Sequence, residues 1–311
     1  MVKAVTLAAL FFLYIGPVLA ETAQAGKDLA FLNVGLGGRP VGMGNAYSAI
    51  ANDSNAVYWN PAGMLFGRTF ELGTMQAKLA SDMDIYYLSS MIQSKKEKEK
   101  PDSAWGVYWI NGNLTGIPKV TANATTTVNT DVKPADYFAY QAHAVGIAYA
   151  GWLATNVSYG LNLTGFYQEF SKIERGKGYG ASLTPGLVWM PSARWVVGTV
   201  VRDIVNYQKW QTGTVEDVIP EWRLGISTIL SDNLMIAVEG RQKLNRKYAA
   251  AFHAGAEYSL HFIRFRAGFD EDRLTAGCGI YAGPIDVQYA YSGNVTDGIG
   301  DSHRVSVGFG I

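Results

Sequence analysis

The chain is 311 residues long, with 26 basic and 26 acidic side chains and one cysteine, Cys278. Balanced charge supplies no electrostatic pull toward nucleic acid or acidic substrates, and a lone cysteine excludes an internal disulfide framework. Past residue 20 no run reaches the ~18 apolar residues of a membrane-crossing helix. If this chain crosses a bilayer it must therefore close into a barrel, the other architecture that satisfies every backbone group in lipid.

The chain opens with a basic residue at Lys3, an apolar stretch over residues 4–15, the helix breakers Gly16 and Pro17, and small residues at Val18 and Ala20. That order predicts a signal peptide over residues 1–20, cleaved after Ala20, and hence export. Residues 21–66 follow as an N-terminal periplasmic or plug segment, and residues 67–311 as a barrel. Within the segment, residues 42–65 read GMGNAYSAIANDSNAVYWNPAGML. Asp53 is placed to cap a short helical turn after it. Asn60 precedes Pro61, which disfavours helical geometry at Asn60 and suits the first position of a new turn; Asn60 is thus the predicted N-cap of a second turn from Pro61 to Leu65. Two capped turns in tandem make a compact element that cannot join a sheet.

From Arg68 the apolar residues recur every second position. Val305, Val307, Phe309 and Ile311 share one face, with Arg304, Ser306, Gly308 and Gly310 on the other. Only a strand sorts them that way. Applied along the chain, the same test predicts strands at 68–79, 83–93, 103–112, 137–150, 155–170, 179–189, 195–206, 219–230, 234–244, 249–260, 262–270, 273–282, 284–292 and 302–311. These amount to an all-β, 14-stranded antiparallel transmembrane barrel, its connections mostly alternating short and long. Seven tryptophans, Trp105, Trp109, Trp152, Trp189, Trp195, Trp210 and Trp222, fall at or near the proposed strand ends, where an interfacial girdle would put them. A soluble sandwich is the competing fold, but it has no need of so many strands with a polar inner face.

The predicted inner face carries Arg202, Arg223, Glu239, Arg241, His253, Glu257, Arg264, Arg266 and Asp286. Charges of both signs on neighbouring strands fit ion pairing around the wall, or a polar ring that meets a ligand headgroup. Neither His143, His253, His261 nor His303 sits in a nucleophile or metal motif, so no catalysis, metal or cofactor is predicted. Pro185 and Gly186 interrupt a predicted strand, where proline forfeits a ladder bond. They mark a structural bulge or a wall kink that opens the lumen toward lipid.

The stretch LGGRPVGMGNAYSAIANDSNAVYWNPAGM resembles the N-terminal signature of the PorV/PorQ family and its relatives in the FadL-like outer-membrane superfamily. The closing stretch LTAGCGIYAGPIDVQYAYSGNVTDGIGDSHRVSVGFGI is similar to the last strands of the same family. This resemblance implies a 14-stranded barrel in the bacterial outer membrane with an N-terminal hatch that includes Asn60, Pro61, Ala62 and Gly63. It implies either of two functions: passive uptake or binding of small hydrophobic compounds, or a PorV-type barrel that holds exported proteins at the cell surface. Partners on these readings are outer-membrane lipid, the barrel-assembly machinery, and either hydrophobic small molecules or secretion-system proteins.

Overall fold

A computed structural model describes residues 32, 34–79, 83–95, 100–119, 136–216, 218–245, 248–293 and 301–311. The expected signal peptide lies outside them. The period-two sequence forms β1 (Phe70–Lys78), β2 (Asp84–Ser94), β3 (Ser103–Lys119), β4 (Asp136–Ala154), β5 (Val157–Phe170), β6 (Lys177–Ser192), β7 (Trp195–Arg202) and β8 (Val205–Trp210). It continues with β9 (Val215–Glu216), β10 (Glu221–Ser231), β11 (Leu234–Lys243), β12 (Ala251–Leu260), β13 (Ile263–Asp270), β14 (Arg273–Ala282), β15 (Ile285–Ser292) and β16 (Ser302–Gly310).

Each strand pairs antiparallel with its neighbour, β1 pairs with β16, and β5 pairs with β6, so the sheet closes on itself. The wall has 14 strand positions, because β7 and β8 occupy one position beside β6 and β9 only folds back on β8. The single strand expected at 195–206 is thus broken. Leu183 pairs with Val205 and Gly186 with Val200, leaving four residues, 201–204, opposite Thr184 and Pro185. Asp203 carries the excess in the left-handed region, at φ 53°. Two further differences concern length. β3 and β4 run past the expected ends, so the turn that the strand ranges put between 150 and 155 lies at residues 155 and 156.

Alternation sorts the wall cleanly. Leu72, Leu88, Val107, Ile147, Leu163, Phe265 and Val307 project outward and are exposed, as a lipid-facing surface requires. Trp105, Trp109, Trp189 and Trp195 share that outer face. Trp152 does not: it is partly buried, packs edge-on against Phe66 and donates from Nε1 to the Pro101 carbonyl. A closed barrel with an apolar exterior places this protein in the bacterial outer membrane, with the short turns after β4, β6, β10, β12 and β14 at the periplasmic end.

Inside, the wall is two-sided. On β1 to β5 the inward residues include Met75, Ala77, Ile85, Ile110, Ala144 and Phe166; on β10 to β16 they include Arg223, Glu239, His253, Glu257, Arg266 and Arg304, all buried. A lumen of 14 strands is too wide for its own side chains to fill. Residues 35–65, almost all buried, occupy it. Helix α1 (Gly38–Gly42) packs on β13 to β16, and α2 (Ala56–Trp59) with the 3-10 helix η1 (Pro61–Phe66) packs on β2 to β6.

Candidate functional site

The N-terminal segment and its seat form the site, and its local shape follows from a few side chains. Asn60 is extended (φ −153°) and accepts from the Ala62 N–H at 3.2 Å, with Pro61 opening η1. Its amide donates to the Ser48 carbonyl at 2.7 Å and to the Leu187 carbonyl of β6 at 3.2 Å. One side chain thereby caps a helix, ties two parts of the segment together and binds the wall. Asn60→Ala should lower the unfolding free energy by about 1–2 kcal/mol for the cap, plus about 1–3 kcal/mol for a stranded buried carbonyl. Chemical denaturation of the detergent-solubilised protein measures it.

The regular helix α2 begins at Ala56, two residues later than the turn expected from Ser54, and Asp53 stands before that turn. Its Oδ1 accepts from the Asn55 N–H and side chain at 3.0 Å, shaping the turn before the helix. Its Oδ2 accepts from the Tyr47 hydroxyl at 2.6 Å and from Arg39 at 3.4 Å. Burial pushes the Tyr47 phenol well above its ordinary value, so it stays protonated and donates. Gly63 lies against the Ala51 carbonyl, and Ala62 is fully buried, its carbonyl accepting from Ser158 of β5 at 2.9 Å.

Much of the expected polar ring is the socket for this segment. Glu239 Oε2 accepts from the backbone N–H groups of Tyr47 (3.1 Å) and Ser48 (2.8 Å), while its Oε1 accepts from Arg223 at 3.2 Å. Arg223 also holds Glu221 at 2.7 Å. Glu257 accepts from Arg266 at 2.7 Å and from Arg39 at 3.0 Å, one carboxylate between a wall guanidinium and a segment guanidinium. His253 Nδ1 lies 2.8 Å from Asp270 and 3.2 Å from the Gly44 carbonyl.

The remaining members stand apart. Arg241 reaches Glu221 and Glu271 nearer the extracellular rim. Arg264 stacks over Tyr281 at 3.9 Å, and with Asp286 it lines a polar cavity of about 280 Å³ at the periplasmic end, bounded by Arg39, Asp53 and Glu71. Arg202 packs over Tyr58 at 4.2 Å, beside the wall break.

Arg39 and Glu71 are not singled out by the sequence, which places Arg304 only on the polar face of the last strand. Glu71 accepts from the backbone of Ser54 at 2.8 Å and Arg68 at 3.1 Å, clamping the exit of the segment. Arg304 donates to the carbonyls of Gly35 (3.1 Å) and Val34 (2.5 Å), clamping its entry. A charge inside a glycine-rich apolar stretch was the available signal for Arg39.

Pro185 and Gly186 have separate causes. Leu183 accepts from the Ile204 N–H on the β8 side at 3.0 Å. Backbone groups two residues apart point the same way, so the donor that Pro185 lacks falls at the break and no bond to β5 is lost. At Gly186 a Cβ would collide with Asn60 Oδ1, so only glycine lets the segment approach the wall there.

No family model matches the chain, and no curated protein sequence does. Solved structures do match in fold. The chain is similar to the toluene transporter TodX of P. putida, with a TM-score of 0.65 and 12% identity over 89% of this chain and 99% of that one. It is also similar to the CymD monoaromatic hydrocarbon channel (TM-score 0.63, 14% identity, 89% and 98% covered). A Pseudomonas aeruginosa FadL homologue aligns at a TM-score of 0.58 and 10% identity, covering 88% of this chain and 98% of that one. These matches lie on the FadL side of the resemblance noted above, and none of the three is a PorV or PorQ protein.

Proposed function

We propose that the protein is a passive outer-membrane conduit for small hydrophobic compounds, with the N-terminal segment as its stopper. The observation that carries this reading is the two-sided lumen. On β1 to β5 the segment packs on an apolar arc, and that arc continues past it toward the extracellular end through Leu79, Met83, Leu114 and Tyr140, a surface for an apolar solute to follow down to the stopper, while the opposite arc holds the segment by ion pairs and hydrogen bonds. A fold shared with hydrocarbon channels supports it. The break at residues 201–204, behind which Tyr58, Tyr108 and Thr184 line a small cavity, supports a sideways exit into lipid. Its partners on this reading are outer-membrane lipid, the barrel-assembly machinery and the permeating compound. No feature of the described residues favours the secretion-associated alternative.

Expression in a bacterium lacking its own channel for such compounds, followed by uptake of radiolabelled toluene, tests the proposal: uptake several-fold above the empty-vector control is expected, and none above it overturns the reading. Pro185→Val should slow that uptake several-fold by supplying an N–H at the break, where it can bond residues 201–204 and narrow the gap. Unchanged uptake would remove the sideways exit while leaving the conduit.

A further inference from the structure

His253, Asp270 and Glu271 converge near the extracellular rim, apart from the apolar arc. One ligating atom from each lies within 4.8 Å of the others. No sequence spacing announces this, because His253 stands on β12, Asp270 ends β13 and Glu271 begins the turn that follows. His253 Nδ1 is 2.8 Å from Asp270 Oδ1 and 3.2 Å from the Gly44 carbonyl. Tetrahedral ligands ~2.0–2.2 Å from a Zn²⁺ ion lie about 3.3–3.6 Å apart, so the Gly44 distance is close to such an edge, while the Asp270 contact, a hydrogen bond without the ion, opens by about half an ångström when the ion replaces the proton. The second oxygen of Asp270 accepts from Asn45 Nδ2 at 2.7 Å. That bond turns Oδ1 toward the imidazole, as an outer partner orients a ligand. The ring itself is 1% exposed, with Nδ1 facing Asp270 and the Gly44 carbonyl and Nε2 without a hydrogen-bond partner among the described residues.

We propose that this cluster is a binding site for a divalent transition cation of the Zn²⁺ class. An imidazole nitrogen with two carboxylates suits Zn²⁺, whereas Ca²⁺ and Mg²⁺ favour shells made wholly of oxygen. Two carboxylates balance the charge of the ion. Arg241 now pairs with Glu271, and Glu221, 3.6 Å from Arg241 Nε, keeps that guanidinium paired when Glu271 turns to the metal. Gly44 belongs to the N-terminal segment, so an ion held here ties the segment to β12 and β13. External Zn²⁺ would then hold the stopper in its seat. This site stands whether or not the barrel conducts hydrocarbons.

The test uses the tag-free, detergent-purified full chain, titrated with Zn²⁺ by calorimetry and with Co²⁺ by visible absorption. One equivalent of Zn²⁺, visible d–d bands with Co²⁺, and a higher unfolding temperature in Zn²⁺ are expected. His253→Gln should abolish all three. Glu271→Gln, an exposed change that leaves the barrel intact, should weaken Zn²⁺ binding at least tenfold. Heat-modifiable gel migration checks that both variants fold. A wild-type protein that takes up no Zn²⁺ overturns the proposal, as does binding that survives either substitution undiminished.

Discussion

Replacing Glu257 by alanine is expected to destabilise the protein by about 3–5 kcal/mol, the usual cost of removing one partner from a buried charge cluster. The carboxylate is the shared acceptor of Arg39 from the N-terminal segment and Arg266 from β13. Glu257, Arg39 and Arg266 are each less than a tenth exposed. Without it two guanidinium groups face each other with no compensating charge. Arg266 keeps Gln288 and Tyr281 as acceptors, and Arg39 keeps Asn52 and, more distantly, Asp53; these soften the loss without cancelling it. Arg39→Met should cost less than Glu257→Ala, because Glu257 then still has Arg266. The double variant should fall short of the sum of the two single changes. Equilibrium unfolding in detergent gives all three values. Strict additivity would show that Arg39 and Glu257 do not act together in seating the segment.

Gly63→Ala should unseat η1. A Cβ at this position would overlap the Ala51 carbonyl, and both lie in backbone that cannot rotate away as a side chain would. Overpacking of this kind costs about 1–3 kcal/mol, and more when backbone is the obstacle. The expected readouts are a lowered unfolding midpoint and new protease cleavage between residues 48 and 66, with the barrel's heat-modifiable migration preserved. If the segment is the stopper, planar-bilayer conductance should rise as well, and deletion of residues 53–63 should raise it further. A Gly63→Ala protein with wild-type protease resistance would show that the loop at Ala51 yields freely.

The strands were legible because alternation is a local property. A residue such as Val307 faces lipid and Ser306 the lumen whatever the neighbouring strands do, so period two survives in any register. Length was less legible: β3 continues past 112 through Asn113, Thr115, Gly116 and Pro118, residues that read as a loop, and β4 continues through Gly151 and Trp152, where the glycine reads as a turn. The break after Arg202 was invisible, since Asp203 adopts its left-handed backbone only because β6 offers two residues against four.

For the candidate site, the caps were readable and the contacts were not. Asn60 before Pro61 is a two-residue signal with a local cause. By contrast, Arg39 meets Glu257 across 218 residues and Arg304 meets Gly35 across 269, and nothing in either neighbourhood specifies the other.

By itself, then, the chain determined an all-β barrel, the direction of nearly every wall side chain and a capped, non-strand stretch near its start, because each follows from spacing within a few residues. Tertiary structure alone decided that the inward charges form a socket, that one arc of the lumen is apolar, that the seventh wall position is broken and that His253 meets Asp270 and Glu271. Closure is the reason: it brings β1 against β16 and sets a short segment against opposite walls at once, and only that juxtaposition gives an inward charge its partner.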